Sequence, residues 1–291
     1  PHTRAVRHAP PRPRCRQGAA VNALILPFTF PVMADAALIA VIVAVPAALL
    51  SCFLVLKSWA LMGDGISHAV LPGIVLAYAL GLPLLVGAFA AGMVCALSSG
   101  WLDANSRIKS DTALGVVMAG MFAVGLILFT VFPPGVHLDH ILFGNILGIG
   151  PGDFAQALPI AAAVTLALLL KWRDFALLAF DPVQARVSGL RVGWLHYGML
   201  AMIAASVVAM LSAVGIILAV GLLIAPGAIA FLLTRRLAVM MALATVIAVA
   251  ASLAGIWASF WLDSAPAPTI IVILTAVFVL AFAWRQMAPR A

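Results

Sequence analysis

The sequence predicts an all-α fold: a polytopic membrane helical bundle of about eight to nine transmembrane helices. Three observations predict it. Of 291 residues, 65% are hydrophobic and only 9% charged, against roughly 45–50% and 25% in soluble domains. Mean hydropathy is +1.21. The apolar residues also fall in long runs rather than short alternating ones, so each span satisfies its own backbone hydrogen bonds as a helix and a β-barrel is disfavoured.

The chain opens with PHTRAVRHAPPRPRCRQGAA, which has neither hydrophobic periodicity nor helix caps. Residues 1–20 are therefore expected to be a disordered or non-native basic extension, such as translation upstream of a start near Val21, and residues 21–291 to form the transmembrane domain. ADA at 34–36 resembles a signal-peptide cleavage site, but Pro27 and Pro31 break the apolar region before it. Without the five Arg of the extension, 11 basic side chains face 9 acidic ones, all Asp. The pI of 10.2 belongs mostly to that tail and is not a nucleic-acid signature.

Hydrophobic runs follow at 36–56, 60–80, 84–101, 113–132, 154–171, 196–212, 215–233, 238–261 and 269–285, each near the ~20 residues a bilayer needs. The least certain division lies within 197–234, which holds either two short spans or one span and a broken one. Basic residues at 107–109, 171–191, 235–236 and 285–290 mark one side, while 133–153 and 262–268 have none, so the first set is assigned to the cytoplasm. Counting back places Lys57 inside and the start of the first span outside, against the charge of the tail. Either the tail is not native, or 22–34 lie along the interface and one span is misassigned. Cys15, Cys52 and Cys95 are scattered, so a disulfide framework or thiolate metal site is not expected.

Two features stand out in the apolar runs. HAVLPGIVLA (68–77) and LLIAPGAIAF (222–231) each carry Pro-Gly, once in each half: Pro72-Gly73 and Pro226-Gly227. Paired interruptions of this kind point to a transport site, since a broken helix frees backbone groups that must face a cavity; the alternative is an ordinary proline kink. The second feature is ALMGDGISHAVLPG (60–73), where Asp64 and His68 lie one helical turn apart, with Cβ atoms roughly 5–6 Å apart on one face. An aspartate near a span centre costs about 2.5–3.5 kcal/mol on insertion scales and needs a partner. Carboxylate plus imidazole, without thiolate, suits Mn, Zn or Fe(II), and two ligands allow release as well as entry. The alternative has Asp64 capping a helix from Gly65, with Ser67 and His68 bonding neighbouring helices.

Asp181-Pro182 resembles a helix start and Gly189 a stop, in the most basic loop. His137, Asp139 and His140 form a secondary candidate for receiving a metal, set against Asp139 as the N-cap of a short helix. The methionines at 118, 121, 199, 202 and 210 are read as packing residues. No P-loop, G-x-S-x-G or H-E-x-x-H occurs, so the chain is not expected to bind ATP in the P-loop manner or to be an intramembrane hydrolase.

KSWALMGDGISHAVLPG (57–73), SRIKSDTALGVVMAGMFAVGLIL (106–128), LDHILFGNILGI (138–149), FDPVQARVSGL (180–190) and AVGIILAVGLLIAPGAIAFLLTRRL (213–237) resemble the signature stretches of permease subunits of zinc/manganese/iron ABC importers. The resemblance runs from about Val21 to the C-terminus. It implies a fold similar to vitamin B12 importer-type permeases, in a homodimer or heterodimer of permease chains in the bacterial cytoplasmic (inner) membrane. Implied partners are ABC ATPase subunits inside and an extracytoplasmic metal-binding protein outside, and no cofactor is permanently bound. Asp64 and His68 match the GD-x-x-SH stretch as metal contacts, and binding is expected to weaken as His68 protonates. The 181–190 segment matches the ATPase-docking helix, with Asp181, Pro182, Arg186, Gly189 and Arg191 in it or beside it. Ser110 stands where family members often carry Glu or extra Arg, which removes a loop ion pair. The alternative function is a self-sufficient secondary metal-ion carrier, needing no ATPase.

Overall fold

The computed structural model describes residues 26–107, 109–132, 146 and 148–287; these are helical, with no strand among them. After a 3-10 turn at Leu26–Thr29 come α1 (Pro31–Leu56), α2 (Met62–Ala69), α3 (Leu71–Ala79), α4 (Leu84–Asn105), α5 (Ser110–Val131) and α6 (Pro151–Phe180). Then follow α7 (Pro182–Val187), α8 (Val192–Val214), α9 (Ile216–Leu233), α10 (Leu237–Leu262) and α11 (Pro266–Met287). Eight of these are long and apolar enough to cross a membrane. Of the nine expected runs, 60–80 is split into two short helices.

A helix that is apolar all round belongs inside a bundle. α1 is such a helix, the most deeply buried of the eight long ones. It packs chiefly against α9, α10 and α6. By contrast α5, α6 and α11 bury little of themselves and present apolar side chains outward, as lipid-facing helices do.

Three expectations are corrected. The run 60–80 is two short helices, α2 and α3, that meet at the buried Val70, with Pro72 in the first turn of α3 where its missing N–H has no helical partner to lose. The run 154–171 continues as helix to Phe180, because charged side chains end the hydrophobicity without ending the helix and the first Gly or Pro beyond Lys171 is Pro182; Lys171 and Asp174 pair at 3.2 Å along it. Finally, α9 runs unbroken through Pro226-Gly227. The interruption in the second half falls at Gly215 instead, whose φ of +84° ends α8 and begins α9 in a conformation that favours glycine. The 197–234 stretch therefore holds two helices, and the turn between them is buried beside Ala213 and Val214.

α1 ends in a paired-bond cap. Trp59 N–H donates to Leu54 C=O (2.8 Å) and Ser58 N–H to Val55 C=O (3.2 Å), while Ser58 takes φ +56° at the position where glycine is usual. A side chain in that region costs about 1–2 kcal/mol. Ser58→Gly is accordingly expected to raise stability by about 1 kcal/mol, read as a higher midpoint of thermal unfolding in detergent. Beyond this turn, Lys57 Nζ lies 4.4 Å from the centre of the Trp59 ring, whose edge meets His196 of α8 at 5.2 Å. Burial pushes the Lys57 ammonium below its ordinary pKa, partly offset by the Asp103 carboxylate of α4. Ser110 at the start of α5 donates to Asp103 Oδ1 at 2.7 Å, so this hydroxyl holds the α4–α5 connection.

Candidate functional site

An eight-residue helix has little stability of its own. α2 is held by tertiary contact: Met62, Gly63, Gly65, Ile66, Ser67 and Ala69 are all buried. The two glycines allow it to wedge between neighbours. A Cβ on Gly63 would lie 2.8 Å from Leu223 Cδ1 of α9, and one on Gly65 2.7 Å from Leu114 Cδ1 of α5. Only Asp64 and His68 remain partly open, their side chains 38% and 36% exposed.

Those two side chains converge. Asp64 Oδ1 and His68 Nε2 are 3.5 Å apart across one turn. The Phe122 ring of α5 meets the imidazole edge to face at 5.7 Å, fixing one side of it. Asp64 lies in the first turn of α2 and His68 in the last, so the helix ends favour a carboxylate at one and a cationic or metal-bound imidazole at the other. The capping alternative does not hold, because Leu61 is the N-cap residue and receives no side-chain bond. Nor does Ser67 reach a neighbouring helix; its hydroxyl donates to the Asp64 carbonyl at 2.7 Å.

Asp64 and His68 face a cavity of about 480 Å³. Ile216, Ile217, Val220 and Gly221 of α9 and Ile271 of α11 complete its lining. One wall thus carries an oxygen and a nitrogen donor and the opposite wall offers none. The apolar wall begins just after the positive-φ turn at Gly215, and on the other wall α2 ends one residue after His68. Among the described residues there is no cluster of three or more His, Cys, Asp or Glu side chains, so an ion at this pair would keep positions for water or another chain's groups.

A family profile described as the ABC 3 transport family matches residues 29–285. The chain belongs to that family. It is 50% identical to the chelated iron transport system membrane protein YfeD of Yersinia pestis over 263 residues, covering 90% of this chain and 89% of that one. It is 41% identical to the manganese transport system membrane protein MntB of Synechocystis over 259 residues, covering 89% and 84%. Among solved structures it resembles PsaBC from Streptococcus pneumoniae in complex with Fab, with TM-score 0.80 and 32% identity over 92% of this chain and 96% of that one. With eight membrane-length helices among the described residues, this member of the ABC 3 transport family is a multi-pass membrane protein.

The other expected residues fall apart from the cavity. In this ABC 3 transport family chain, α7 is closed at both ends. Asp181 Oδ1 accepts from the N–H groups of Val183 and Gln184, both at 2.9 Å, and Pro182 occupies the first turn. Gly189, at φ +80°, donates to Arg186 C=O, and Leu190 N–H reaches back to Ala185 C=O. Ala185 is the buried residue of α7, while Arg186 and Arg191 are exposed. Phe180, Val183, Val187 and Trp194 stand exposed around it, an apolar surface with a basic rim. Asp181→Ala is expected to cost this helix about 1 kcal/mol and to speed hydrogen exchange at the Val183 and Gln184 amides; unchanged protection would refute the cap.

Gly73 and Gly227 are contact points between helices. A Cβ on Gly73 would overlap the Gly87 carbonyl oxygen of α4, and one on Gly87 would overlap that of Gly73. Gly227 lies against the Ser51 backbone of α1, and the Pro72 ring rests on Gly125 of α5. His137, Asp139 and His140 lie outside the described residues. The expected runs 196–212 and 215–233 already part at Gly215, but its positive φ is not legible among the three glycines of 213–233, Gly215, Gly221 and Gly227. The sequence reading missed Ser51, since a serine in a leucine-rich span gave no signal.

Proposed function

We propose that this chain is the permease subunit of an ATP-driven importer for divalent transition metal ions, and that Asp64 and His68 contact the ion in transit. The observation that carries the reading is the exposure pattern of α2: its carboxylate and imidazole are the parts left open, and they open onto a cavity whose other wall is apolar. A wall without donors gives the ion no second anchor, which suits passage rather than storage. The names of the relatives speak for iron and manganese, and the O/N donor pair accepts Zn(II) as well.

The partners follow from the same reading. The chain has no P-loop of its own, so ATP hydrolysis falls to ABC ATPase subunits, which dock on the α7 surface with Arg186 and Arg191 at its rim. An extracytoplasmic metal-binding protein delivers the ion, and a second permease copy or a paralogue completes the channel. The setting is a bacterial cytoplasmic membrane. The test is to co-purify the chain with its ATPase, reconstitute it in vesicles and measure accumulation of Mn(II), Fe(II) and Zn(II) with and without ATP. ATP-dependent accumulation is expected. Uptake by the isolated chain under an ion gradient alone would establish the secondary-carrier alternative and overturn the proposal.

A further inference from the structure

Proline inside a helix leaves the carbonyl four residues back without a donor and crowds the turn beside it. In α9 that proline is Pro226, and the carbonyl it leaves is that of Leu222. A side chain from another helix enters the ladder at this turn. Ser51 of α1, fully buried, donates its hydroxyl to Ile224 C=O at 3.0 Å and accepts from Gly227 N–H at 2.9 Å. Most helical hydroxyls among the described residues bond within their own helix: Ser98, Ser212, Thr245 and Ser259 each bond a carbonyl three or four residues back, and Ser110 reaches only the adjacent α4. Ser51 instead joins the most buried long helix to the turn of α9 that contains its proline.

That turn touches both walls of the cavity. Val220 and Gly221, one turn before Ile224, belong to the apolar wall. Leu223, within the same turn, packs on Gly63, the residue before Asp64. The first part of α9 is therefore bounded by Gly215 at φ +84° on one side and by Pro226 on the other, with the Ser51 hydroxyl fixing the second boundary.

We propose that Ser51 is a positioning residue of the transport pathway: by bonding Ile224 C=O and Gly227 N–H on either side of Pro226 it ties the weakened turn of α9 to α1 and sets the placement of the α9 segment 216–225 against Asp64 and His68. This rests on the reading of the cavity as the ion's route, and the test has one arm that does not. A nitroxide label is placed at Ile217→Cys in a Cys15→Ser background, Cys52 and Cys95 being buried, in the full transporter with its ATPase subunits. Ser51→Ala is expected to change label mobility at 217, and Ser51→Cys, similar in size and a weaker hydrogen-bonding partner, to change it in the same direction. In vesicles Ser51→Ala is expected to lower maximal Mn(II) uptake by about tenfold, the scale of a buried hydrogen bond left unmade, with less effect on the half-saturating Mn(II) concentration. An unchanged label spectrum in both Ser51 variants would overturn the proposal. If the wild-type transporter moves none of Mn(II), Fe(II) and Zn(II), the metal reading fails, and the label comparison still decides the role of Ser51.

Discussion

Asp64→Asn is expected to abolish ATP-driven Mn(II) accumulation while the bundle stays intact. The amide keeps the shape of the side chain but removes the single formal charge on the cavity wall, where the lining is otherwise one imidazole and apolar groups. It also turns one acceptor atom into a donor, which a cation repels. Asp64 makes no cap bond and is 38% exposed, so the fold loses little. Removing a mere supporting neighbour of a metal ligand costs about 10–100-fold in affinity or activity, and a direct ligand sets a larger loss. His68→Ala is expected to lower accumulation by at least about tenfold on the same scale. Uptake assays beside ATPase rates decide the matter. Equal accumulation in wild type and both variants, at equal expression, would end the assignment of these residues to the ion.

The largest expected loss of stability comes from Gly73→Ala. The added methyl meets the backbone carbonyl of Gly87, and no rotamer change can relieve that contact. Overpacking a core costs about 1–3 kcal/mol, and the upper end applies when neither partner is a flexible side chain. α3 and α4 must separate, and α3 follows α2 directly, so His68 shifts with it. Gly87→Ala makes the reciprocal clash. The two changes together are expected to cost less than the sum of their separate effects, because one separation of the helices accommodates both. Thermal unfolding in detergent measures this. A midpoint unchanged by either substitution would show that the helices do not approach this closely.

Much of this architecture can be read from the residues. The long apolar runs locate α1, α4, α5 and α8 to α11 because lipid and core make the same demand for uninterrupted hydrophobicity. That criterion detects the edge of the apolar medium rather than the end of a helix, which is why α6 continues past Lys171 to Phe180. The pairing of Asp64 with His68 follows from helical periodicity alone, since four residues make one turn. Their shared cavity does not, because it depends on where α9 and α11 sit in space. Pro226 misleads for a related reason: one proline removes a single ladder bond, and the turn around it is held from outside by a hydroxyl 175 positions away in the chain, Ser51 bonding Ile224 C=O and Gly227 N–H. Gly215 carries the true interruption, and only its backbone angle tells it apart from other glycines in apolar runs.

The length of α6 has a mechanical consequence. Thirty residues of helix extend about 45 Å, against a hydrocarbon layer of about 30 Å. The surplus is taken up by tilt or by projection beyond the lipid, and the far end of the helix does not stand free: Phe175 and Leu178 are buried, and the Phe175 ring meets Phe53 of α1 at 6.1 Å. Pro182–Val187 follows directly on this braced end, so a displacement of that short helix is carried by a rigid rod into the last turns of α1 instead of being lost in a slack connection. Loosening the rod near residue 175 would absorb it first.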